Sequence, residues 1–537
     1  MTLPRVTYSN LNEDFSGVHA HLDAVIPDAQ QRLVGKRRAS FVDGRDRDQG
    51  DMFLAVSPID RSLVLGEFPS ADGALVGEAV GAARRAYPAW RDIGWERRAA
   101  LLRAGADALA RNKWDISVAC LIEVGKSRFE AVGEVEEAID LIHHYCDEMA
   151  RTGGFCEQRP AAVQAERSSV VLRPYGVFAV IAPFNFPVAL SLGMMCAALV
   201  AGNTVVFKPS EAAGLTGRLV IDALVEGGLP DGVVNLVQGG RATGEALVKH
   251  PGVDGFAFTG SNAVGMMIMR HAASGRAMRP VLAEMGGKNP AFVTSSGDLD
   301  IAAVGIARSV FGLQGQKCSA GSKVYVARSV HDEFVELLSK AAGKLIVGDP
   351  RQADVFMGPV INEAALRRFE SAVVDAAKEG AIVAGGRQLS GGSFDGGAYV
   401  EPTIVTGLAL NHRLNRDELF LPFVSVMPFD TLSSAIADAN HSDYGLAAGI
   451  YTRDETELET FLTTIEAGVL YANRASGATT GAWPGIQTFC GWKGSGTSGK
   501  GGLGSWYVPQ FMREQSHTLS EPSVGISTKA VMPSEIF

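Results

Sequence analysis

The chain has 537 residues, of which 46% are hydrophobic and 20% charged, the balance of a folded protein with room for two or more domains. Its net charge is −10 and no run rich in Lys or Arg occurs, so we expect no nucleic-acid partner. Six cysteines without a CxxC spacing favour reduced thiols, and no metal site is expected. Residues 1–10 lack the apolar core of a secretory signal, which indicates a cytoplasmic protein.

The first 150 residues change character along their length. Residues 1–50 are polar and are predicted to be an irregular N-terminal segment. Apolar residues then recur at spacings of three and four among Arg, Glu and Asp, which predicts helices over 97–112 and 114–149.

Short apolar runs alternate with helical segments from position 177 onward. We predict strands at 177–181, 204–207, 233–237 and 255–258, with helices between them at 190–201, 215–226 and 244–250. This alternation is typical of a parallel, doubly wound α/β sheet. A Rossmann-like domain is therefore expected over 51–283.

The same region contains a stretch without charged residues, from 174 to 207, which is long enough to suggest a membrane span. Prolines at 174, 183 and 187 interrupt it, and Asn185 and Asn203 add polar groups that lipid would penalise. A buried strand, a loop, a helix and a second strand explain the stretch better. We therefore expect no membrane partner.

A second α/β alternation predicts another domain over 284–473, with strands at 291–293 and 323–326 and helices at 301–310 and 331–342. Residues 474–505 are rich in Gly, Ser and Thr and form too long a loop to be a simple connector. We expect residues 474–537 to combine this loop with a tail that pairs with another subunit, and 151–172 to join the same oligomerisation element. The protein is therefore expected to be a homo-oligomer.

Cys318 is the first candidate for chemistry. It lies among glycines and small residues at the start of a predicted helix, in the sequence Gly315-Gln316-Lys317-Cys318-Ser319-Ala320, and a helix N-terminus favours a thiolate. A lone cysteine is more often a small core residue, so this signal is modest by itself.

Two further segments strengthen the interpretation of Cys318. Glu284 lies 34 residues upstream in the apolar, glycine-punctuated sequence Ala283-Glu284-Met285-Gly286-Gly287, and Asn185 lies in Pro183-Phe184-Asn185-Phe186-Pro187. A thiolate, a carboxylate that can act as a base and an amide donor form a set suited to covalent acyl transfer. The alternative is a buried cysteine, a helix-capping carboxylate and an Asn turn.

Two more segments fit a dinucleotide. Lys208, Ser210 and Glu211 follow a predicted strand, and ligands bind at the carboxyl ends of strands in open α/β sheets. The segment 258–265 leaves another strand and enters a helix, so its N–H groups can face a pyrophosphate.

Together these segments resemble the signature motifs of the aldehyde dehydrogenase superfamily, over about residues 50–515. The resemblance implies a cofactor domain over 51–283 and a catalytic domain over 284–473. It also implies that Cys318 is the nucleophile, Glu284 the general base, and Asn185 with the Cys318 N–H the oxyanion hole. The implied reaction oxidises a small-molecule aldehyde to its acid through a Cys thioester, with NAD, or NADP, as cofactor.

The resemblance also assigns the cofactor contacts. It implies that Lys208, Ser210 and Glu211 bind the adenosine ribose and that Gly260, Ser261 and Gly265 approach the pyrophosphate, while Glu418 and Phe420 form the Glu-x-Phe element at the nicotinamide ribose. The Gly-Pro-Val usual after that element is Leu421-Pro422-Phe423 here. A carboxylate at 211 would repel a 2′-phosphate, which favours NAD.

Residues 494–500 allow a different interpretation, since they satisfy the pattern G-x-G-x-x-G and nearly spell a P-loop with Lys500. A P-loop nucleotide hydrolase is thus the alternative from another functional class. Its context is missing, because 487–493 is not a buried strand and Gly501 stands where a Mg²⁺-binding hydroxyl would be needed.

The loop instead resembles that of one branch of the family, the 1-pyrroline-5-carboxylate dehydrogenases, which oxidise glutamate γ-semialdehyde. The matching segments are 473–474, 477–481 and 491–497, and the sequence of residues 315–319 also matches that branch. The resemblance implies that the substrate contacts are Glu134, Phe186, Ser319, Ser495 and Gly496.

Two points stay open at this level. Glu134 could equally lie on a solvated helix face, because Glu136 and Glu137 are its neighbours. The branch usually has Gly where this chain has Cys490, so another carboxylated or sugar-derived aldehyde is the alternative substrate.

Overall fold

The computed structural model describes residues 3–8, 10, 13–163, 166–475 and 479–520. Its α-helices in chain order are α1 Ser16–Leu33, α2 Gly73–Asp92, α3 Trp95–Arg111, α4 Lys113–Val124, α5 Arg128–Arg151, α6 Ala189–Val200, α7 Gly214–Glu226, α8 Arg241–Lys249, α9 Asn262–Ala273, α10 Leu299–Phe311, α11 His331–Gly343, α12 Glu363–Glu379, α13 Arg413–Arg416, α14 Leu432–Asn440 and α15 Glu455–Thr464.

The strands are β1 Lys36–Arg37, β2 Ser40–Val42, β3 Arg45–Arg47, β4 Asp51–Val56, β5 Val64–Ser70, β6 Cys156–Arg159, β7 Glu166–Pro174, β8 Val177–Ile181, β9 Thr204–Lys208, β10 Val234–Leu236, β11 Gly255–Thr259, β12 Val281–Glu284, β13 Asn289–Val293, β14 Gly321–Ala327, β15 Ala381–Ala384, β16 Thr403–Thr406, β17 Phe423–Phe429, β18 Tyr444–Gly445, β19 Ala447–Tyr451, β20 Val469–Ala472, β21 Trp492–Lys493 and β22 Met512–Ser520.

The first large sheet has the strand order β12-β11-β8-β9-β10-β2-β3 and is parallel from β12 to β10. Side chains of β8 point alternately to its two faces. Phe178 and Val180 join the core with α6 and α7, whereas Val177, Ala179 and Ile181 join the core with α2, α8 and α9. Both faces are therefore covered, which explains why these strands are continuous apolar runs.

The second large sheet has the order β15-β16-β17-β14-β13-β19-β20, with only the edge strand β15 antiparallel to its neighbour. On β13, Ala291 and Val293 pack with α10 and α11, and Phe292 packs with α14 and α15 on the other face. The first sheet ends at Glu284 and the second begins at Asn289, so the segment between them links the two domains directly.

The N-terminal 50 residues are more regular than their sequence indicates. Helix α1 lies there, and β2 and β3 extend the first sheet because β2 pairs antiparallel with β10. The expectation of an irregular segment over 1–50 was therefore wrong. Short strands and an amphipathic helix with only five buried residues leave a weak sequence signal.

The helix predicted over 114–149 is two helices, α4 and α5. The break falls at Gly125, which has a left-handed φ of 76° and whose N–H donates to the Leu121 carbonyl to end α4. The apolar periodicity continues across the break, so periodicity alone does not show it. Gly125 was the available sequence signal.

A three-stranded antiparallel sheet, β22-β7-β6, stands apart from the two large sheets. The strand β22 pairs along its whole length with β7, which joins residues 512–520 to the predicted oligomerisation element at 151–172. The remaining part of the predicted tail, 521–537, lies outside the described residues. In the part of the chain that the structure describes, no helix is long and apolar enough to cross a membrane.

Candidate active site

A cavity of about 1110 Å³, including its open mouth, lies where the two domains meet α5 and the loop around 479–511. Its wall is mainly apolar, with side chains such as Phe186, Leu190 and Phe489. The polar residues that line it include Cys318, Ser319, Glu284, Glu137 and Glu130. Such a cavity encloses an organic molecule while presenting a few polar groups to it.

Cys318 does not begin a helix, contrary to the sequence-based expectation. It lies in a turn between a 3₁₀ segment, Gly312–Gly315, and strand β14. Its carbonyl accepts a hydrogen bond of 2.7 Å from Asn289 Nδ2. Burial, together with the nearby carboxyls of Glu418 and Glu284, raises the pKa of the Cys318 thiol to about 12. The resting thiol is therefore protonated, and its reaction requires a base.

The chain immediately before the nucleophile has an unusual conformation. Leu313, Gln314 and Gly315 have φ values of 48°, 56° and 67°, a left-handed run that costs non-glycine residues roughly 1–2 kcal/mol each. Buried side-chain amides hold it, because Gln316 Nε2 donates to Gln314 Oε1 and Gln316 Oε1 accepts from Ile361 N at 3.0 Å. A Cβ on Gly315 would lie 2.1 Å from the carbonyl oxygen of Leu421.

Glu284 is the last residue of β12 and lines the cavity. Burial raises the pKa of its carboxyl to about 8, and the opposing effect is a hydrogen bond of 3.2 Å from the Gly491 N–H to Oε2. A carboxyl with such a pKa can both accept and return a proton near neutral pH. The segment around Gly491 thus positions the predicted base.

Asn185 and Phe186 lie in the loop before α6, and Phe186 lines the cavity, whereas Asn185 is not among the described residues of its wall. The Asn185 side chain is buried, and its Nδ2 donates one hydrogen bond of 2.9 Å to the Gln316 carbonyl. A side-chain amide has two N–H donors, so the second is available for an oxyanion. Phe186 contributes its ring to the cavity wall.

Glu134 is neither a cavity residue nor a solvated one, so both sequence-based interpretations of it need correction. It is fully buried, it forms an ion pair of 2.6 Å with Lys126, and it accepts hydrogen bonds from the N–H groups of Val188 and Ala189. The carboxylate therefore caps the N-terminus of α6.

The carboxyls of α5 that do line the cavity are Glu130 and Glu137. Positions 130, 134 and 137 share one face of a helix, because they are separated by four and three residues. Helical periodicity therefore selects this face but cannot tell which of the three side chains reaches the cavity. Burial raises the pKa of Glu137 to about 8, and the charge of Glu134 adds to that rise.

Ser319 lines the cavity, but Ser495 and Gly496 do not. Ser495 is fully buried, with its Oγ accepting a hydrogen bond from Gly445 N, and Gly496 forms a bridge with Glu284. The prediction that residues 495 and 496 contact the substrate therefore needs correction. These two residues pack behind the residues that line the cavity.

The loop residues in the wall lie mostly outside the matching segments 477–481 and 491–497, with Thr480 as the exception. They are Thr480, Ala482, Phe489, Gly502, Leu503 and Tyr507. Leu503 has a φ of 69°, and its N–H donates to the Tyr145 hydroxyl at 3.2 Å. Part of the matching segment 477–481, Gly477 and Ala478, lies outside the described residues.

The predicted cofactor residues of the first domain lie at or just after the carboxyl ends of β9 and β11, which lie on either side of β8 in the first sheet. Lys208 ends β9, and its Nζ donates to the carbonyls of Pro209 and Gly239 at 2.6 and 2.8 Å. Glu211 is exposed and lies over Gly240, where a Cβ would be 2.1 Å from its carboxylate. Burial lowers the pKa of Lys208 to about 8. Lys208 Nζ has three N–H donors, so one is left for a ligand at this strand edge.

The other cofactor residues flank the same edge. Ser210 caps the short turn that follows Lys208, Gly260 follows β11, and Ser261 precedes α9 without a side-chain cap. Gly265 leaves room for Met285, because a Cβ there would lie 2.3 Å from the Met285 sulfur. The open N-terminus of α9 is the kind of site that binds phosphate oxygens.

Glu418 and Phe420 come from the second domain. Glu418 Oε1 accepts a hydrogen bond of 3.1 Å from Gly287 N, in the link between the two sheets, and burial raises its pKa to about 7. Phe420 has a φ of 58° and packs edge-on against Phe184. The departure at 421–423 therefore leaves Glu418 next to the segment that carries Glu284.

Residues 494–500 do not form a nucleotide loop. They follow the two-residue strand β21, which pairs antiparallel with β18, and no helix begins at their end. Both elements that would hold a triphosphate are absent from these residues.

A model of the aldehyde dehydrogenase family matches residues 45–516 of the chain. The chain belongs to the aldehyde dehydrogenase family. It is 34% identical to the 1-pyrroline-5-carboxylate dehydrogenase of Bacillus subtilis over 91% of this chain and 93% of that protein. The predicted family, the α/β fold class and the NAD(P)-dependent enzyme are thereby confirmed.

Two solved structures extend this likeness. The 1-pyrroline-5-carboxylate dehydrogenase from Thermus with bound NAD superposes with a TM-score of 0.90 at 30% identity, covering 97% of this chain and 99% of the Thermus chain. A 3,6-anhydro-L-galactose dehydrogenase superposes with a TM-score of 0.85 at 31% identity, covering 90% and 100%. The fold is thus shared by enzymes with different aldehyde substrates.

Proposed function

We propose that this protein oxidises glutamate γ-semialdehyde to glutamate with NAD as the electron acceptor. The observation that carries the proposal is one cavity lined by Cys318, Glu284, Ser319 and Glu137. Cys318 and Glu284 supply the chemistry. Ser319 and Glu137 suit a substrate that has both a carboxylate and an ammonium group. The likeness to the Bacillus subtilis enzyme supports the same substrate.

The first half of the reaction uses the thiol. Glu284 takes the Cys318 proton, directly or through water, and the sulfur forms a bond to the aldehyde carbon while the carbonyl oxygen becomes an oxyanion. The second N–H of Asn185 and the backbone N–H of Cys318 stabilise that charge. NAD, when bound, would accept the two electrons and the hydrogen of the aldehyde carbon, and the acyl group would remain on Cys318 as a thioester.

The second half uses Glu284 again, once the proton that it took from Cys318 has passed to solvent. Its carboxylate removes a proton from water, the water oxygen bonds to the thioester carbon, and the C–S bond breaks to return the thiolate and release the acid. Burial favours this role, because it raises the pKa of Glu284 to about 8 and makes the carboxylate a stronger base than an exposed one.

The residues at the sheet edge fit the cofactor. Lys208 and Glu211 would hold the adenosine ribose, Gly260, Ser261 and Gly265 would border the pyrophosphate at α9, and Glu418 would face the nicotinamide ribose. The exposed carboxylate of Glu211 lies where a 2′-phosphate would add negative charge, so NAD is preferred to NADP.

Substrate recognition combines Ser319, beside the nucleophile, with residues on the opposite side of the cavity. We assign the substrate carboxylate to the Ser319 hydroxyl and the backbone edge at Gly502, which replaces the predicted contacts at 495 and 496. Glu137 faces the same space and would pair with the α-ammonium group. The carboxylate and the ammonium group of the substrate would thereby both have polar partners, so neither charge would be buried unpaired.

Cys490 does not favour the alternative sugar-derived substrate. Its Sγ lies 3.9 Å from the Gly468 carbonyl, and Cys490 is not part of the cavity wall that the structure describes. The side chain at position 490, on which that alternative rested, therefore does not line the cavity.

The test is a comparison of kcat/KM for three aldehydes with NAD: glutamate γ-semialdehyde, 5-oxopentanoate, which lacks only the amino group, and hexanal, which has neither charged group. We expect that order of preference, with about tenfold or more between the first and the last, because each hydrogen-bonded charge contributes roughly 1.5–3 kcal/mol. Faster turnover of hexanal would overturn the substrate and leave the dehydrogenase chemistry intact.

We also propose that the sheet β22-β7-β6 is the oligomerisation element. Strand β6 pairs with β7 on one side only among the described residues, so its outer edge is available to another chain. Measuring the mass in solution by light scattering tests this, and a monomer would contradict it.

A further inference from the structure

The N-terminal segment of residues 3–8 is fastened to the outer side of α5. Arg5 forms two ion pairs, with Glu136 at 3.0 Å and with Asp140 at 2.9 Å, which are one helical turn apart. Val6 is fully buried next to them. Two charged contacts and one buried side chain fix the direction in which the chain continues to Tyr8.

Tyr8 reaches the cavity from this segment and is part of its wall. Its ring lies against Gly133 of α5, where a Cβ would be 3.2 Å from the ring atom Cε1. It also packs edge-on against Phe186, with ring centroids 6.5 Å apart, and against Trp483 at 5.5 Å. Trp483 Nε1 in turn donates to Asp140, so the ring is held from three sides.

The polar end of Tyr8 has one neighbour of interest. The hydroxyl is shielded from solvent and makes no hydrogen bond of good geometry to a described residue. Burial and the charge of the Glu137 carboxyl raise the pKa of this hydroxyl. Both side chains line the catalytic cavity. A buried hydroxyl without a hydrogen-bond partner costs free energy. This cost indicates that Tyr8 and Glu137 interact when a ligand fills the cavity.

We propose that Tyr8 is a specificity-determining positioning residue: its hydroxyl donates to one oxygen of Glu137 and leaves the other oxygen directed at the α-ammonium group of an amino-acid aldehyde. This inference rests on the proposed function. It assigns to a segment outside both α/β domains a part in choosing the substrate.

The electrostatics of Glu137 give the hydroxyl its effect. Burial and the charge of Glu134 keep the Glu137 carboxyl neutral in the empty cavity at neutral pH, since they raise its pKa to about 8. A hydrogen bond from the Tyr8 hydroxyl, formed when the cavity is filled, acts in the opposite direction and lowers that pKa. Removing the hydroxyl makes the carboxyl harder to ionise, and a neutral carboxyl binds an ammonium group weakly.

Tyr8→Phe removes the hydroxyl and keeps the ring. We expect KM for glutamate γ-semialdehyde to rise about tenfold, while KM for 5-oxopentanoate changes less than about twofold, because only the first substrate has an ammonium group. The matched control is Tyr87→Phe, which removes a partly buried tyrosine hydroxyl bonded to the Pro174 carbonyl on another part of the molecule. This control should leave both KM values unchanged.

A double-mutant cycle separates positioning from a merely structural role. In a Glu137→Gln background, Tyr8→Phe should have no further effect on KM for glutamate γ-semialdehyde, whereas independent effects would multiply. Equal changes for both substrates, no change for either, or multiplying effects would overturn the inference. Failure of the proposed function is visible separately, since the wild-type protein would then prefer hexanal.

Discussion

The two sides of the cavity are built in different ways. The catalytic side consists of backbone-anchored residues at the ends of regular elements: Glu284 ends β12, Asn185 precedes α6, and Cys318 precedes β14. The recognition side combines one face of α5, the N-terminal segment and the loop around 479–511, which are far apart in the chain. Its members are brought together by side-chain contacts, such as those of Trp483 with Tyr8 and Asp140.

This difference separates what the enzyme does from what it acts on. Residues on strand ends are held by sheets that bury both faces, so their relative positions change little when distant segments vary. A wall made from segments and a helix face can be altered one side chain at a time. Substitutions on the first side should therefore affect all aldehydes, and those on the second should affect charged aldehydes selectively.

The largest effect is expected for Cys318→Ala. Turnover of every aldehyde should fall by at least about 10⁴-fold, because the variant has no nucleophile for the first step. NAD binding, followed by fluorescence titration, should stay within about twofold. Ordinary turnover by this variant would contradict the thioester mechanism.

Glu284→Gln should reduce steady-state turnover by about 10²–10³-fold, since the amide cannot take a proton from water. Rapid mixing with NAD and substrate should show NADH formed in a burst before a slow phase, if the loss falls mainly on thioester hydrolysis. A slow phase without a burst would place the main role of Glu284 in the first half of the reaction.

Ser319→Ala and Ser495→Ala test the assignment of the substrate carboxylate as a pair. Ser319→Ala should lower kcat/KM for glutamate γ-semialdehyde about ten- to hundredfold and leave hexanal within about threefold. Ser495→Ala instead removes the acceptor for Gly445 N, so it should lower the melting temperature without selecting between substrates. A selective effect of Ser495→Ala would restore the sequence-based assignment.

The pH dependence of kcat should follow Glu284. As the base, it must be ionised, and its pKa of about 8 means that activity rises with pH through 8 and levels off above it. Between pH 7 and pH 9 we expect about a tenfold increase. The rise should vanish in Glu284→Gln, and a wild-type profile that falls over this range would contradict the assignment.

The smallest effect is expected for Glu211→Gln. An exposed charge is worth at most about 1 kcal/mol, so kcat/KM with NADP should improve by no more than about fivefold relative to NAD. Initial rates with both cofactors measure this. A wild-type preference for NADP would show that Glu211 does not face the ribose.

The same division explains how far the sequence could predict the molecule. Strands 177–181 and 255–258 and the helix 331–342 were predictable because each depends on periodicity, and local motifs pointed to Cys318 and Glu284, which line one cavity. Ser495 was misplaced because its motif describes the loop but not which way its residues face. Tyr8 gave no signal at all, since its position depends on contacts with α5 and Trp483 that lie at great sequence separation.

The left-handed run at 313–315 has a consequence for mutational tolerance. Gln314 and Gln316 are fully buried and hold this strained stretch in place, with Gln314 also donating to the Gly125 carbonyl at the break between α4 and α5. Without either side-chain amide, the backbone could leave the left-handed region. Each residue that does so lowers its conformational energy by about 1–2 kcal/mol. Such variants would stay folded, but the Cys318 sulfur would no longer be positioned to reach the substrate. Substitutions in this stretch should therefore change the melting temperature little and lower turnover strongly.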